Sequence, residues 1–186
     1  MGASTVIDPA ATVSPFVSQG VVTLVVLFVT MAAVQDVLSF RIANAFPVIL
    51  IALFALTALT GAWTLMNLAW SLGLAFLVFV LGAGLFYAGV WGGGDTKLLA
   101  ALTLWVQPGV LLVFIAWVAI AGGGVALILL LGRLLPQKIK ESHIIIQRLF
   151  TNEKGNRQNM PYGLAIMVAT LIIWRGGGLG PSTGPL

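Results

Sequence analysis

Two aspartates are the residues of this chain best suited to chemistry. Asp95 stands in Trp91-Gly92-Gly93-Gly94-Asp95-Thr96-Lys97-Leu98-Leu99, where an acid, a base and three consecutive glycines separate two strongly apolar runs. A carboxylate at membrane depth costs several kcal/mol unless it is paired, neutralised or wetted, and the chain has only five acidic residues. Asp36, in Gln35-Asp36-Val37-Leu38-Ser39-Phe40-Arg41-Ile42-Ala43-Asn44, is the second acid beside an apolar run; Asp8 lies in a polar tail, and Glu141 and Glu153 lie in a basic loop. Two carboxylates held close together share one proton, because like charges at short range cannot both ionise cheaply. That state suits peptide hydrolysis. The ionised group takes a proton from attacking water, while its protonated partner hydrogen-bonds to the carbonyl oxygen and later helps the amine leave, with no covalent intermediate. Glycines before Asp95 let an extended substrate strand approach the backbone, since no Cβ blocks it.

Structural roles compete with each of these readings. Gly92, Gly93 and Gly94 also suit a turn or a tight helix contact. Asp36 could cap a helix or pair with Arg41, and Asp95 could pair with Lys97. Taken singly, neither aspartate decides between structure and catalysis; the weight falls on the pair, two acids at corresponding ends of apolar spans.

The elements that must bring them together follow from composition. The 186 residues are 60% hydrophobic and 8% charged, with a mean hydropathy of +1.09, whereas about a quarter of the residues in a soluble domain are charged. This is the composition of a polytopic membrane protein. The net charge of +4 does not point to nucleic acid, because the basic residues are sparse and fall between apolar runs; membrane orientation explains them better. The absence of cysteine removes disulfides, thiol catalysis and cysteine-based zinc sites, and the single histidine, His143, cannot make a metal cluster alone. No cofactor or metal is expected, and carboxylate chemistry is what remains. No Lys or Arg precedes Arg41, so the first apolar run reads as a retained span rather than a cleaved signal.

Apolar runs cover residues 20–34, 45–62, 65–90, 98–132 and 162–174, and the fourth is long enough for two crossings at about 20 residues each. Its break falls either at Pro108-Gly109 or at Gly122-Gly123-Gly124. Six spans result, in a membrane domain over residues 20–175 flanked by flexible tails at 1–19 and 176–186. With the N-terminus outside, eight of the nine basic residues (Arg41, Lys97, Arg133, Lys138, Lys140, Arg148, Lys154 and Arg157) fall inside and Arg175 alone outside, as the positive-inside rule requires. Both aspartates are then cytoplasmic. A fourth helix ending at Pro108 would span about 16 Å from Thr96 to Val106, about half the hydrocarbon core, which would sink Asp95 below the membrane surface. In the basic loop, Ile139, Ile146 and Phe150 have helical spacing that suits a helix lying on anionic lipid.

The motifs carry a resemblance. Gly92-Gly93-Gly94-Asp95-Thr96-Lys97-Leu98-Leu99-Ala100-Ala101 resembles the glycine-x-glycine-aspartate motif of the type IV prepilin peptidases. Gln35-Asp36 with Arg41-Ile42-Ala43-Asn44 resembles that family's first catalytic aspartate and its arginine-isoleucine-proline-asparagine signature. Met160-Pro161-Tyr162-Gly163-Leu164-Ala165-Ile166 is similar to the start of the last helix in the family's short branch. The resemblance covers about residues 35–166. It implies an all-α membrane aspartyl endopeptidase that cuts the leader from prepilins at the cytoplasmic face of the bacterial inner membrane, with Asp36 and Asp95 catalytic. Two departures stand out: Ala43 replaces the usual proline, and the cysteine-bearing cytoplasmic domain linked to N-methylation is missing. Cleavage without methyl transfer is therefore expected, as in the short branch used with Flp-type pilins. The implied partners are the prepilin, membrane lipid and pilus assembly proteins.

Supporting roles are assigned to the remaining polar and turn residues. Lys97 tunes Asp95, meets an acidic substrate residue, or snorkels from a helix end. Asn44 caps the second helix, Arg41 anchors the inner face or binds lipid, and Pro161 starts the last helix. Gly163, after Tyr162, lets that helix approach the aspartates, and His143 is a surface residue of the loop. Ser71 lies in a span far from His143, so a serine–histidine mechanism has no support. The tyrosine-aspartate and proline-alanine-leucine signatures of signal-peptide peptidases are absent, since Gln35-Asp36 and Pro161-Tyr162-Gly163 stand there. The alternative outside proteolysis is a proton-coupled carrier or assembly subunit that uses the aspartates for protons or contacts.

Overall fold

The computed structural model describes residues 15–89, 91–132 and 161–181. The tail before residue 15, the basic loop with its amphipathic stretch and His143, and the last five residues lie outside the described residues. Six α-helices are described: α1 Pro15–Ser39, α2 Ala45–Leu59, α3 Leu65–Tyr87, α4 Gly93–Thr103, α5 Leu111–Gly132 and α6 Tyr162–Arg175. A short 3₁₀ turn, Pro108–Val110, joins α4 to α5. No strand occurs among the described residues, and the chain is an all-α membrane protein.

Three segments, Gln19–Ser39, Leu65–Tyr87 and Pro108–Leu131, are long and apolar enough to cross a membrane, and Ala45–Leu59 and Tyr162–Arg175 are shorter apolar helices. Their outer faces leave Phe76 69% exposed and Leu112 83% exposed. Water would not tolerate such a surface, and lipid does not penalise it. The fourth helix does end before Pro108, where the ring removes a backbone donor. Gly122, Gly123 and Gly124 sit inside α5, because in lipid an unpaired backbone group costs more than glycine's flexibility gains.

The helices pack as two groups. In the first, α6 lies against α1 and α5; in the second, α4 lies against α3 and α2. On α1 the buried residues are Val22, Val25, Val26, Val29, Ala32, Ala33 and Asp36, a stripe with three- and four-residue spacing that a 3.6-residue helix aligns on one face. Asp36 ends that stripe. Helix α4 is buried on nearly every side, from Asp95 and Thr96 to Leu102 and Thr103. Its hydroxyls bond within the helix or to its neighbour: Thr103 Oγ1 donates to Leu99 O at 2.8 Å and Thr96 Oγ1 to Gly82 O of α3 at 3.2 Å.

The end of α4 remote from Asp95 is pinned by aromatic rings and by the chain after α6. Phe54 and Trp63 meet edge to face at 4.8 Å, Trp105 packs on both, and Trp105 Nε1 donates to Leu50 O at 3.1 Å. Composition assigns residues 176–186 to a flexible tail, yet residues 177–180 fold onto the α4–α5 connection. Gln107 N donates to Gly178 O at 3.0 Å and Gly180 N to Trp105 O at 2.8 Å, Val106 and Leu179 form a β-bridge, and Leu179 is buried. One apolar side chain and unmet carbonyls near a helix end suffice to hold this glycine-rich segment in place.

Candidate functional site

Asp36 lies in the last turn of α1, inside the helix rather than in the loop after it. Its side chain is 4% exposed, and Gly163 N, in the first turn of α6, donates to its Oδ2 at 2.8 Å. The approach requires glycine: a Cβ at 163 would lie 3.0 Å from both Cβ and Oδ2 of Asp36 and 3.3 Å from the Cα of Ala33. The chain then leaves α1 through Phe40, whose positive φ of 52° is uncommon for a residue with a Cβ. Gln35 fixes this exit, since Ala43 N donates to its Oε1 at 3.1 Å.

Asp95 stands in the first turn of α4 with Gly92 at the N-cap. It is 8% exposed and its Oδ1, fully buried, has no protein partner. All three glycines before it touch protein. A Cβ at Gly92 would collide with the Asp95 carboxylate, one at Gly93 would lie 3.3 Å from the Phe86 ring, and one at Gly94 3.2 Å from Ile42 Cβ. Thr96 is bonded to Gly82, more than a turn inside the end of α3 at Tyr87, so Asp95 is recessed relative to its neighbouring helix. The 11 residues of α4 span about 16 Å, against a hydrocarbon core of about 30 Å.

The two aspartates come from different helix groups, whose aspartate-bearing ends meet where Trp91 contacts Tyr162 and where Gly94 packs against Ile42. Their basic neighbours do not neutralise them: Arg41 is exposed, and Lys97 Nζ, also exposed, donates to Asn44 Oδ1 at 3.0 Å. Asn44 does occupy the N-cap position of α2, but its side chain makes no capping bond, because Lys97 takes its oxygen. Pro161 occupies the N-cap of α6 rather than its first turn. Tyr162 meets Trp91 edge to face at 5.8 Å, and the buried Trp91 Nε1 has no protein partner.

Gln35, Trp91 and Thr96 are parts of the site that reading the sequence passes over. Thr96 carried a local signal, a hydroxyl in a buried first helical turn. Nothing along the chain announces that residue 91 meets residue 162.

One buried aspartate at the N-terminal end of a recessed helix and another in the last turn of α1, inside an all-helical membrane scaffold, mark the class as a polytopic membrane protein with acids buried in its helix bundle. The particular family is given by comparison with known proteins. Residues 23–127, more than half of the chain and including both aspartates, match the type IV leader peptidase family, and the chain belongs to it. It is a peptidase of that kind. It has no significant match among curated proteins or solved structures.

Proposed function

We propose that the chain is an aspartic prepilin peptidase in which Asp36 and Asp95 form the catalytic pair. The observation that carries this reading is the burial of both carboxylates, on segments that meet through Trp91 and Tyr162, in a chain of the leader peptidase family. One carboxylate is ionised and takes a proton from water as the water oxygen attacks the scissile carbonyl. The other, protonated, gives its proton to the carbonyl oxygen. Collapse of the tetrahedral adduct returns a proton to the departing amine, leaving the leader's carboxyl end and the pilin's new amino end.

The substrate is an Flp-type prepilin presenting a leader followed by an apolar helix. The N-terminus lies outside and the aspartates open to the cytoplasm, an orientation supported by the distribution of Arg and Lys. The enzyme cuts without methylating, works in the inner membrane beside lipid, and has the pilus assembly proteins as further partners.

The test is leader cleavage in membranes containing the protein and a candidate Flp-type prepilin, followed by gel shift and N-terminal sequencing. The natural chain should cut after a glycine. Asp36→Asn and Asp95→Asn, present at equal levels, should each lose at least about 10³-fold in rate, within the range of general acid–base contributions. Processing by both variants would overturn the paired-acid mechanism, and gradient-dependent transport by the natural chain without cleavage would favour the carrier.

A further inference from the structure

We propose that the edge-to-face contact between Trp91 and Tyr162 is a clasp across the two helix groups that sets the separation of Asp36 and Asp95. The proposal rests on the paired-aspartate reading above and names the residues that position the pair.

The geometry follows the chain on both sides. Trp91 leads directly into the glycines and Asp95, and its own backbone N–H is bonded to Leu85 O at 3.3 Å, which ties it to the end of α3. Tyr162 directly precedes Gly163, whose N–H holds Asp36. Its ring is backed by α5, where a Cβ at Gly122 would lie 3.4 Å from Tyr162 Cε1. Trp91 thus moves with Asp95, and Tyr162 with Asp36.

Among the bonds near the aspartates, Gly163 to Asp36 joins α6 to α1, Thr96 to Gly82 joins α4 to α3 and Lys97 to Asn44 joins α4 to the start of α2, while Ala43 to Gln35 ties the chain entering α2 back to α1 without touching α4 or α6. At its far end α4 is stitched to the chain after α6 by backbone bonds. A rod pinned at one end pivots unless the other end is held. At the aspartate end the ring contact, with centroids 5.8 Å apart and planes at 62°, joins the segment leading into α4 directly to the start of α6. The unpartnered Trp91 Nε1 separates two accounts of this residue: a clasp needs the ring, whereas a substrate contact would need the N–H.

Trp91 and Tyr162 are therefore positioning residues, and the test separates ring from donor. Trp91→Ala, Trp91→Phe, Tyr162→Ala and the double alanine variant are compared for kcat and KM on prepilin. Each alanine change should lower kcat roughly two- to tenfold, the energy of an aromatic pair expressed as rate, with KM unchanged. The double variant should lose no more than the worse single one, and Trp91→Phe should stay within about twofold of the natural chain. If Trp91→Phe falls as far as Trp91→Ala, the indole N–H touches substrate and the clasp is wrong.

A second readout does not depend on cleavage. The natural chain has no cysteine, so spin labels on Leu81→Cys of α3 and Leu127→Cys of α5, both exposed, report the separation of the two groups by pulsed electron resonance. The distance distribution should broaden or shift with Trp91→Ala and Tyr162→Ala but not with Trp91→Phe. An unchanged distribution in the alanine variants overturns the clasp even if the chain cleaves prepilin. Absence of cleavage by the natural chain would instead sink the functional reading and leave the label distances to decide the clasp.

Discussion

Asp36 and Asp95 are held in opposite ways. Asp36 ends a continuous buried stripe on α1, accepts a backbone N–H, and is crowded so closely by Gly163 that a methyl group there would fit only if α1 or α6 shifted. Asp95 stands in the first turn of a short helix with one carboxyl oxygen buried and unpartnered. A hydrogen bond contributes about 0.5–1.5 kcal/mol net, while a buried unsatisfied polar group costs about 1–3 kcal/mol. One corner therefore stabilises the fold and the other strains it. Stability and activity are commonly opposed at such unsatisfied groups, and on the proposed mechanism Asp95 would be the acid kept free and Asp36 the acid held in place.

Alanine at each position is the sharpest way to break this comparison. Asp36→Ala removes the acceptor and leaves Gly163 N–H buried and unmet, so unfolding in lipid nanodiscs should shift down by about 2 kcal/mol. Asp95→Ala removes an unsatisfied group and should leave the thermal midpoint unchanged or higher. Differential scanning fluorimetry reads both. Equal losses in the two variants would mean that Asp95 has a protein partner in the membrane and that the two corners are alike.

A methyl group added at each corner should separate stability from rate. Gly163→Ala pushes on the Asp36 side chain and the α1 backbone, which cannot yield without moving the helices. It should cost about 1–3 kcal/mol of stability and lower kcat at least roughly tenfold by misplacing the carboxyl group. Gly92→Ala meets only the end of the Asp95 side chain, which can rotate aside. Its stability should change by under about 0.5 kcal/mol while kcat falls with KM nearly constant. Cleavage kinetics and thermal midpoints on the same preparations test the split, and a large stability loss in Gly92→Ala would contradict it.

How far the sequence carries this picture differs by element. The helical class and both aspartates are legible because membrane burial makes acids scarce, and scarcity draws attention to those that remain. The break in the fourth apolar run is ambiguous in the sequence because proline and glycine both interrupt helices in water. In lipid only the lost donor of Pro108 decides, and the glycines at 122–124 continue α5. The segment at 177–180 is not legible, since its composition suits a tail and its placement comes from Val106, Gln107 and Trp105, distant in sequence. Asn44 as a cap was reasonable from local rules, but a cross-helix lysine outcompeted the local donors. Local signals predicted what local physics controls, and contacts between the two helix groups were invisible to them.

The smallest expected effect concerns Lys97, the basic residue nearest in sequence to Asp95. Its ammonium is exposed and bonded to Asn44, bridging α4 to the start of α2. Exposed polar pairs contribute about 0–1 kcal/mol, so Lys97→Met and Asn44→Ala should each change stability by under about 0.5 kcal/mol and kcat by less than about twofold. Lys97→Met should also leave KM unchanged, since the side chain is occupied within the protein. A loss of kcat above about tenfold in Lys97→Met, with Asn44→Ala silent, would mean that the lysine leaves Asn44 and acts on Asp95 or on the substrate. Asp95 would then have a cationic partner during the reaction, and the asymmetry between the corners would describe the resting protein alone.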